Sequence, residues 1–215
     1  MTPQEGVVQF NLKFLPADPL PAARLRSLNA WRQIFYRLGL IGQDPHRYGG
    51  LGYGNISVRL EPGNAASFII SGTQTGGLSR LFPEHYPIVK TFDPATNRVV
   101  AEGVVRPSSE SLTHGSLYRL DREIGAVIHA HSPDIWTQAD TIGIPATRRN
   151  VRYGTPEMAE EVCRLFQSTS VGELKIFAMG GHEDGIVAFG SSMEQAGLTL
   201  VRYLAAATAG EIVSR

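Results

Sequence analysis

The chain has one cysteine, Cys163, in 215 residues, so no internal disulfide can form. Its setting, EMAEEVCRLF, reads as the buried face of a helix and not as an activated nucleophile, which suits a reducing compartment. Net charge is also lacking. Twenty Lys and Arg balance twenty Asp and Glu, so nothing points to nucleic acid or an anionic membrane surface, and a small-molecule partner is favoured. No stretch approaches the roughly 18 uninterrupted apolar residues of a membrane-spanning helix. The opening MTPQEGVVQFNLKFLPADPLP has no basic region followed by a long apolar run, so neither a signal nor a transit peptide is expected. Repeats and low-complexity segments are absent as well. The expectation is a soluble, cytoplasmic protein with no membrane partner.

What is present suffices for one globular domain, with 42% hydrophobic residues to fill a core. Pro16, Pro19 and Pro21 make residues 1–21 an expected extended arm lying against a neighbouring subunit, with residues 22–215 as the domain. From Ala22 to Leu40, Leu25, Leu28, Trp31, Ile34, Phe35 and Leu38 predict one apolar helical stripe, ended by Gly39 and Gly42. ISVRL and SFIIS alternate as strands around a Pro62-Gly63-Asn64 turn, and PIVKTFD and RVVAEG form a second hairpin around residues 94–97. A helix follows in RPSSESLTHGSLYRL, with Ser108 or Ser109 as its cap. AVIHAH is a buried strand after Gly125. PDIWTQAD and TPEMAEEVCRLFQ are helices, the second with Thr155 as cap and Pro156 at its first position. KIFAMGG and DGIVAFG are strands before a long helix over 192–209. Hairpins come early and βαβ alternation is irregular, so a sheet flanked by helices is expected over a doubly wound dinucleotide fold.

His129 and His131 alternate with one residue on an apolar strand, so both rings project from the same face and can chelate a metal. For an isolated pair the blander account, two hydrogen-bonded core histidines, is the better one. Two buried imidazoles nonetheless need partners, and a divalent cation, zinc first, satisfies both. HAHSPD lacks the further Asp-His of metallo-β-lactamase-type sites. A third imidazole would complete an open three-nitrogen site with room for water or substrate. His182, in the glycine-flanked AMGGHEDG, is the leading choice, and His46, His85 and His114 are rivals. Glu183 and Asp184 are either acceptors for an imidazole N–H or a charged hairpin tip.

Glu110 stands in the first turn of its helix, where the helix dipole alone would favour an acid. If its face looks at the HAH strand it becomes a general base, with His114 four residues on as a packing residue. Gly54-Asn55, Thr73 to Gly76 and Ser108-Ser109 each combine small groups able to turn amides and hydroxyls onto an anion. Singly each is ordinary punctuation. Together they suggest a phosphate or carboxylate pocket.

GNISVR at 54–59, SGTQTG at 71–76, PSSE at 107–110, GAVIHAHSP at 125–133 and the GH of GGHEDGIVAFG together resemble the class II aldolase/adducin family. They stand in family order and span most of the chain from Trp31 to Gly190. The resemblance implies a three-layer α/β/α fold with a central, mostly antiparallel sheet, and a homotetramer with sites at subunit interfaces. It implies zinc, or another divalent ion such as Mn2+, Co2+ or Fe2+, on His129, His131 and His182. Gly54, Asn55, Thr75, Gly76, Ser108 and Ser109 would line a phosphate site, with Thr73 as the alternative to Thr75, and Glu110 would be the acid/base. The activity implied is a lyase of aldolase type, cleaving a C–C bond of a small sugar phosphate through an enediolate. Decarboxylase, dehydratase or epimerase chemistry, or an adducin-like module without catalysis, are the alternatives. Two departures stand out: the family's loop tyrosine has no clear match, since Tyr153 aligns elsewhere, and the closing C-terminal tail is expected to be absent after the last helix.

Overall fold

The computed structural model describes residues 8–63 and 67–210, so Asn64 of the expected turn and the first seven residues of the expected arm lie outside the described residues. In chain order the strands are β1 (Asn11–Pro16), β2 (Gly42–Gln43), β3 (Gly52–Tyr53), β4 (Asn55–Arg59), β5 (Phe68–Ile70), β6 (Ile88–Asp93), β7 (Arg98–Gly103), β8 (Ala126–His131), β9 (Ile176–Ala178) and β10 (Gly185–Gly190). The helices are α1 (Arg26–Arg37), α2 (Ser111–Leu120), α3 (Pro133–Thr137), α4 (Pro156–Ser168), α5 (Val171–Leu174) and α6 (Met193–Ala209). One eight-stranded sheet runs β1-β7-β6-β5-β4-β8-β10-β9, and β2-β3 forms a separate small ladder. Every pairing in the large sheet is antiparallel except β1 with β7.

The period of two along the strands divides the interior into two cores, one on each face. Ile56 of β4, Ile128 of β8 and Ile186 and Ala188 of β10 face Leu28 and Phe35 of α1 and Met193, Leu200 and Tyr203 of α6. Val127 of β8 and Val187 and Phe189 of β10 face Leu112 and Leu117 of α2 and Met158, Val162 and Leu165 of α4. Helices thus cover both sides of the sheet, giving the expected three-layer α/β/α arrangement. His129 and His131 share the parity of Val127, which sends them to the α2 side.

Three expectations are corrected. The helix expected over 22–40 is a 3-10 turn at Ala22–Leu25 followed by α1, and its inward line is Leu28, Arg32 and Phe35. Ile34 and Leu38 lie 41% and 48% exposed, because a line at positions 28, 32 and 35 turns them outward. Arg32 can hold an inward position because its guanidinium meets backbone carbonyls of residues 75–78. Ser108 and Ser109 do not cap α2, which begins at Ser111 with Glu110 as its N-cap. The serines close a tight turn instead: Ser108 Oγ accepts from Glu110 N at 3.3 Å, and Ser111 Oγ donates to Ser108 O at 2.7 Å. Cys163 is half-buried, beside the inward line Met158, Val162, Leu165. Residues 11–16 of the expected arm are extended and pair with β7 of their own chain.

The caps of α4 and α6 follow the sequence, Thr155 accepting from Met158 N and Ser192 from Gln195 N. Among the described residues no helix is long and apolar enough to cross a membrane.

Candidate metal and anion site

At the C-terminal end of β8, His129 and His131 are each 1% exposed. Their Nε2 atoms lie 3.2 Å apart. His129 Nδ1 is 3.3 Å from the carbonyl of Ile186, an arrangement in which Nδ1–H donates and the Nε2 lone pair points into the site. Opposite His131 across the sheet stands Gly185, where a Cβ would come within 3.2 Å of the His182 ring. His182 comes from the β9–β10 turn, where its N–H donates to Met179 O and its own carbonyl accepts from Gly185 N. Its ring centroid is 5.0 Å from that of His129 and 4.8 Å from that of His131.

One nitrogen from each of the three rings can be chosen so that all lie within 4.8 Å of one another. Tetrahedral zinc with bonds of about 2.0–2.1 Å separates its nitrogens by about 3.3 Å, so the β8 pair already stands at chelating distance. Burial, and then the neighbouring His182, hold His129 and His131 well below the ordinary imidazole pKa of 6.5. Both are neutral near pH 7, the form that ligates metal. The donor set therefore fits a divalent ion and leaves a position open to a further ligand. The rival histidines lie elsewhere: His46 is exposed, His85 accepts from Phe82 N, and His114 is hydrogen-bonded to Ser57.

Glu110 is 1% exposed at the start of α2. Its Oε2 accepts from Thr113 Oγ1 at 2.8 Å, and its Oε1 is 3.7 Å from His182 Nδ1. A buried carboxylate is thus held by its own helix against the third histidine. His114 N–H donates to the Glu110 carbonyl, while the His114 ring turns to Ser57 Oγ, 2.7 Å away, and Ser57 lies 2.8 Å from the hydroxyl of Tyr118.

Gly54, Asn55, Thr75, Gly76, Ser108 and Ser109 line a single cleft, and Thr73 lines it with them. Asn55 is the direct cross-strand partner of His129, so the cleft and the histidine cluster share the β4–β8 pairing. Asn55 Oδ1 is buried with no hydrogen-bond partner among the described residues. Gly54 has a φ of +75°, and a Cβ there would stand 2.8 Å from Ile41. Thr75 Oγ1 donates back to Gly72 O at 2.7 Å, shaping the loop.

Tyr153, expected to align elsewhere, brings its ring to 4.7 Å from His182, and it is 5% exposed. Tyr48 lies 4.5 Å edge-on from His131 and donates its hydroxyl to Asp184 Oδ2 at 2.6 Å, where Arg47 also binds at 3.0 Å. Asp184 therefore joins the site through Tyr48 and Arg47, not through an imidazole, and Glu183 is exposed. Tyr48, Gln74 and Asp184 have φ values of 50°, 58° and 60°, left-handed backbone that non-glycine residues adopt at a cost and that clusters at functional sites. The glycine-dense RYGGLGYGN and GGHEDG runs carry two of these three residues and were the available signal.

The profile of the Class II Aldolase and Adducin N-terminal domain matches residues 44–208. The chain belongs to that family. A methylthioribulose-1-phosphate dehydratase of Stenotrophomonas maltophilia is 33% identical over 122 residues, 57% of this chain and 50% of that protein. The matched stretches span from 32% to 50% of the length of the curated relatives. Among solved structures, an L-fuculose-1-phosphate aldolase from Thermus thermophilus superposes with a TM-score of 0.56 at 20% identity, over 85% of this chain and 87% of that one. A sugar-phosphate aldolase from Thermotoga maritima gives 0.64 at 16% identity, over 88% and 94%. At these identities the structural likeness is one of fold, and it agrees with the three-layer architecture of this class II aldolase/adducin domain.

Proposed function

We propose that this protein is a metal-dependent lyase acting on a small phosphorylated hydroxy-carbonyl compound of the sugar-phosphate type. The observation that carries the reading is one conjunction: three buried imidazoles, two of them 3.2 Å apart, with a carboxylate 3.7 Å from the third. A divalent cation held by His129, His131 and His182, zinc in the first place, would supply Lewis acidity that polarises a carbonyl and stabilises charge on the adjacent carbon.

The chain's own groups do the rest. Asn55, Ser108, Ser109 and Thr75 or Thr73, with the amides near Gly54 and Gly76, orient the phosphate. Glu110 acts as general base, with Oε2 steadied by Thr113 and Oε1 as the oxygen placed to accept the proton. Its burial keeps bulk water from competing for that proton. The Tyr153 hydroxyl is the candidate donor to the departing group.

Aldol-type C–C cleavage and loss of a hydroxyl as water both use this set. The second reading is favoured by the dehydratase name of the sequence relatives, which match at 33% to 40% identity. We read the working unit as a homo-oligomer, since Ile34, Leu38 and Leu198 are large apolar side chains open to solvent on a single chain. Light scattering gives its mass.

The deciding experiment measures bound metal and turnover across phosphorylated ketoses and aldoses, for the wild type and Glu110→Gln. The expected result is about one metal per chain, cleavage or dehydration of at least one substrate, and a loss of about 10²- to 10⁴-fold in the variant with metal retained. A protein that purifies without metal and gains nothing from added zinc would overturn the reading.

A further inference from the structure

Among the described residues no basic side chain lines the cleft assigned to phosphate: glycines, Asn55, Thr73, Gln74, Thr75 and the two serines make up its lining. A phosphate dianion held only by neutral donors needs a compensating charge close by. Directly behind the same loop stands Arg32, 1% exposed on the inward line of α1. Its Nη2 donates to the carbonyls of Thr75 at 2.9 Å and Gly76 at 2.8 Å, and its Nη1 donates to the carbonyl of Leu78.

Burying a guanidinium is costly, and a neutral amide could staple carbonyls without that cost. The positive charge therefore asks for a reason of its own. Three carbonyls of one loop turn to Arg32 on the helix side, and Thr75 and Gly76 of that loop also line the cleft. The cation polarises each of those peptide units, whose N–H groups belong to Gly76, Gly77 and Ser79, and Gly76 lines the cleft.

We propose that Arg32 is the built-in counter-charge of the anion cleft, a positioning residue that sets phosphate affinity through residues 75–78 without touching the ligand. The proposal rests on reading the cleft as a phosphate site. It also explains why a neutral-charge protein with an uncharged cleft can hold a dianion.

Calorimetric titration with inorganic phosphate tests it, on the wild type, Arg32→Lys and Arg32→Gln, with bound metal and melting followed on the same samples. Lysine keeps the charge but loses the fork, whereas glutamine keeps donors and loses the charge. Phosphate affinity should fall about tenfold in Arg32→Gln and by less than about threefold in Arg32→Lys, with metal content unchanged in both. A staple without an electrostatic role predicts the reverse order or no difference. Arg32→Gln binding like the wild type, or Arg32→Lys binding no better than Arg32→Gln, would overturn the proposal. If Arg32→Gln fails to melt cooperatively, Arg32→Lys alone decides: retained affinity supports the counter-charge and a tenfold loss refutes it. A wild type that binds no phosphate overturns the reading of the cleft itself, and the role of Arg32 with it, a result distinct from every variant outcome.

Discussion

His114 should make the fold acid-sensitive in a way that one substitution removes. Its ring is fully buried on α2, with Nδ1 beside Ser57 Oγ and Nε2 without a hydrogen-bond partner among the described residues. Burial pushes its pKa down from 6.5 to about 3, so the folded state keeps the ring neutral where the unfolded chain would protonate it. The folded pKa is the lower one. Stability is thus full above about pH 6.5 and drains as pH falls toward about pH 3. At about pH 5 the ring sits one and a half units below its unfolded pKa, and at about 1.4 kcal/mol per unit this costs about 2 kcal/mol relative to about pH 8. The figure holds for any folded pKa below about 4, because the folded ring is then essentially unprotonated at both pH values. Urea unfolding of wild type and His114→Gln at the two pH values measures it, after chelation so that bound metal contributes to neither protein. The wild type should lose about 2 kcal/mol more than the variant between the two conditions. Equal losses would show that the His114 ring is hydrated or already charged in the folded state, and the reasoning from burial would fail.

Three further outcomes are expected. His182→Ala should reduce bound zinc, measured by elemental analysis against a chelator, to well under about one ion per ten chains, since two imidazoles make a much weaker site than three; unchanged stoichiometry would mean another third ligand. Gly76→Ala places a Cβ 2.4 Å from the carbonyl oxygen of Gly42 and 2.9 Å from Tyr53 N, both backbone atoms that cannot swing aside. It should destabilise the protein by about 1–3 kcal/mol in thermal melting and weaken phosphate binding, and an unchanged melt would show the loop is not pinned there. Tyr153→Phe keeps the ring against His182 and removes the hydroxyl, so kcat should fall about 10²-fold with metal content unchanged; an unaltered kcat would leave Tyr153 as packing.

The parts of this site that could be read from sequence are those governed by short-range rules. Alternation along AVIHAH put His129 and His131 on one face, and the Ser and Thr caps marked α4 and α6. The order of GN, TQTG, SSE, HAH and GH pointed to one family, and in the structure those segments meet around β4 and β8. What escaped depends on contacts between segments far apart in the chain. Arg32 interrupts an apolar stripe, and nothing near it in sequence reveals that carbonyls some 43 to 46 residues on will receive it.

Tyr153 lies between β8 and β9 in a stretch without strong period, and only the packing of that stretch brings it to His182. The late start of α2 has the same origin: Ser108 folds onto Glu110 and Ser111 in place of the helix amides, which leaves Glu110 at the helix threshold, turned toward His182. The residue that this turn leaves as the N-cap of α2 is the same one whose carboxylate is held by Thr113 and lies 3.7 Å from His182 Nδ1.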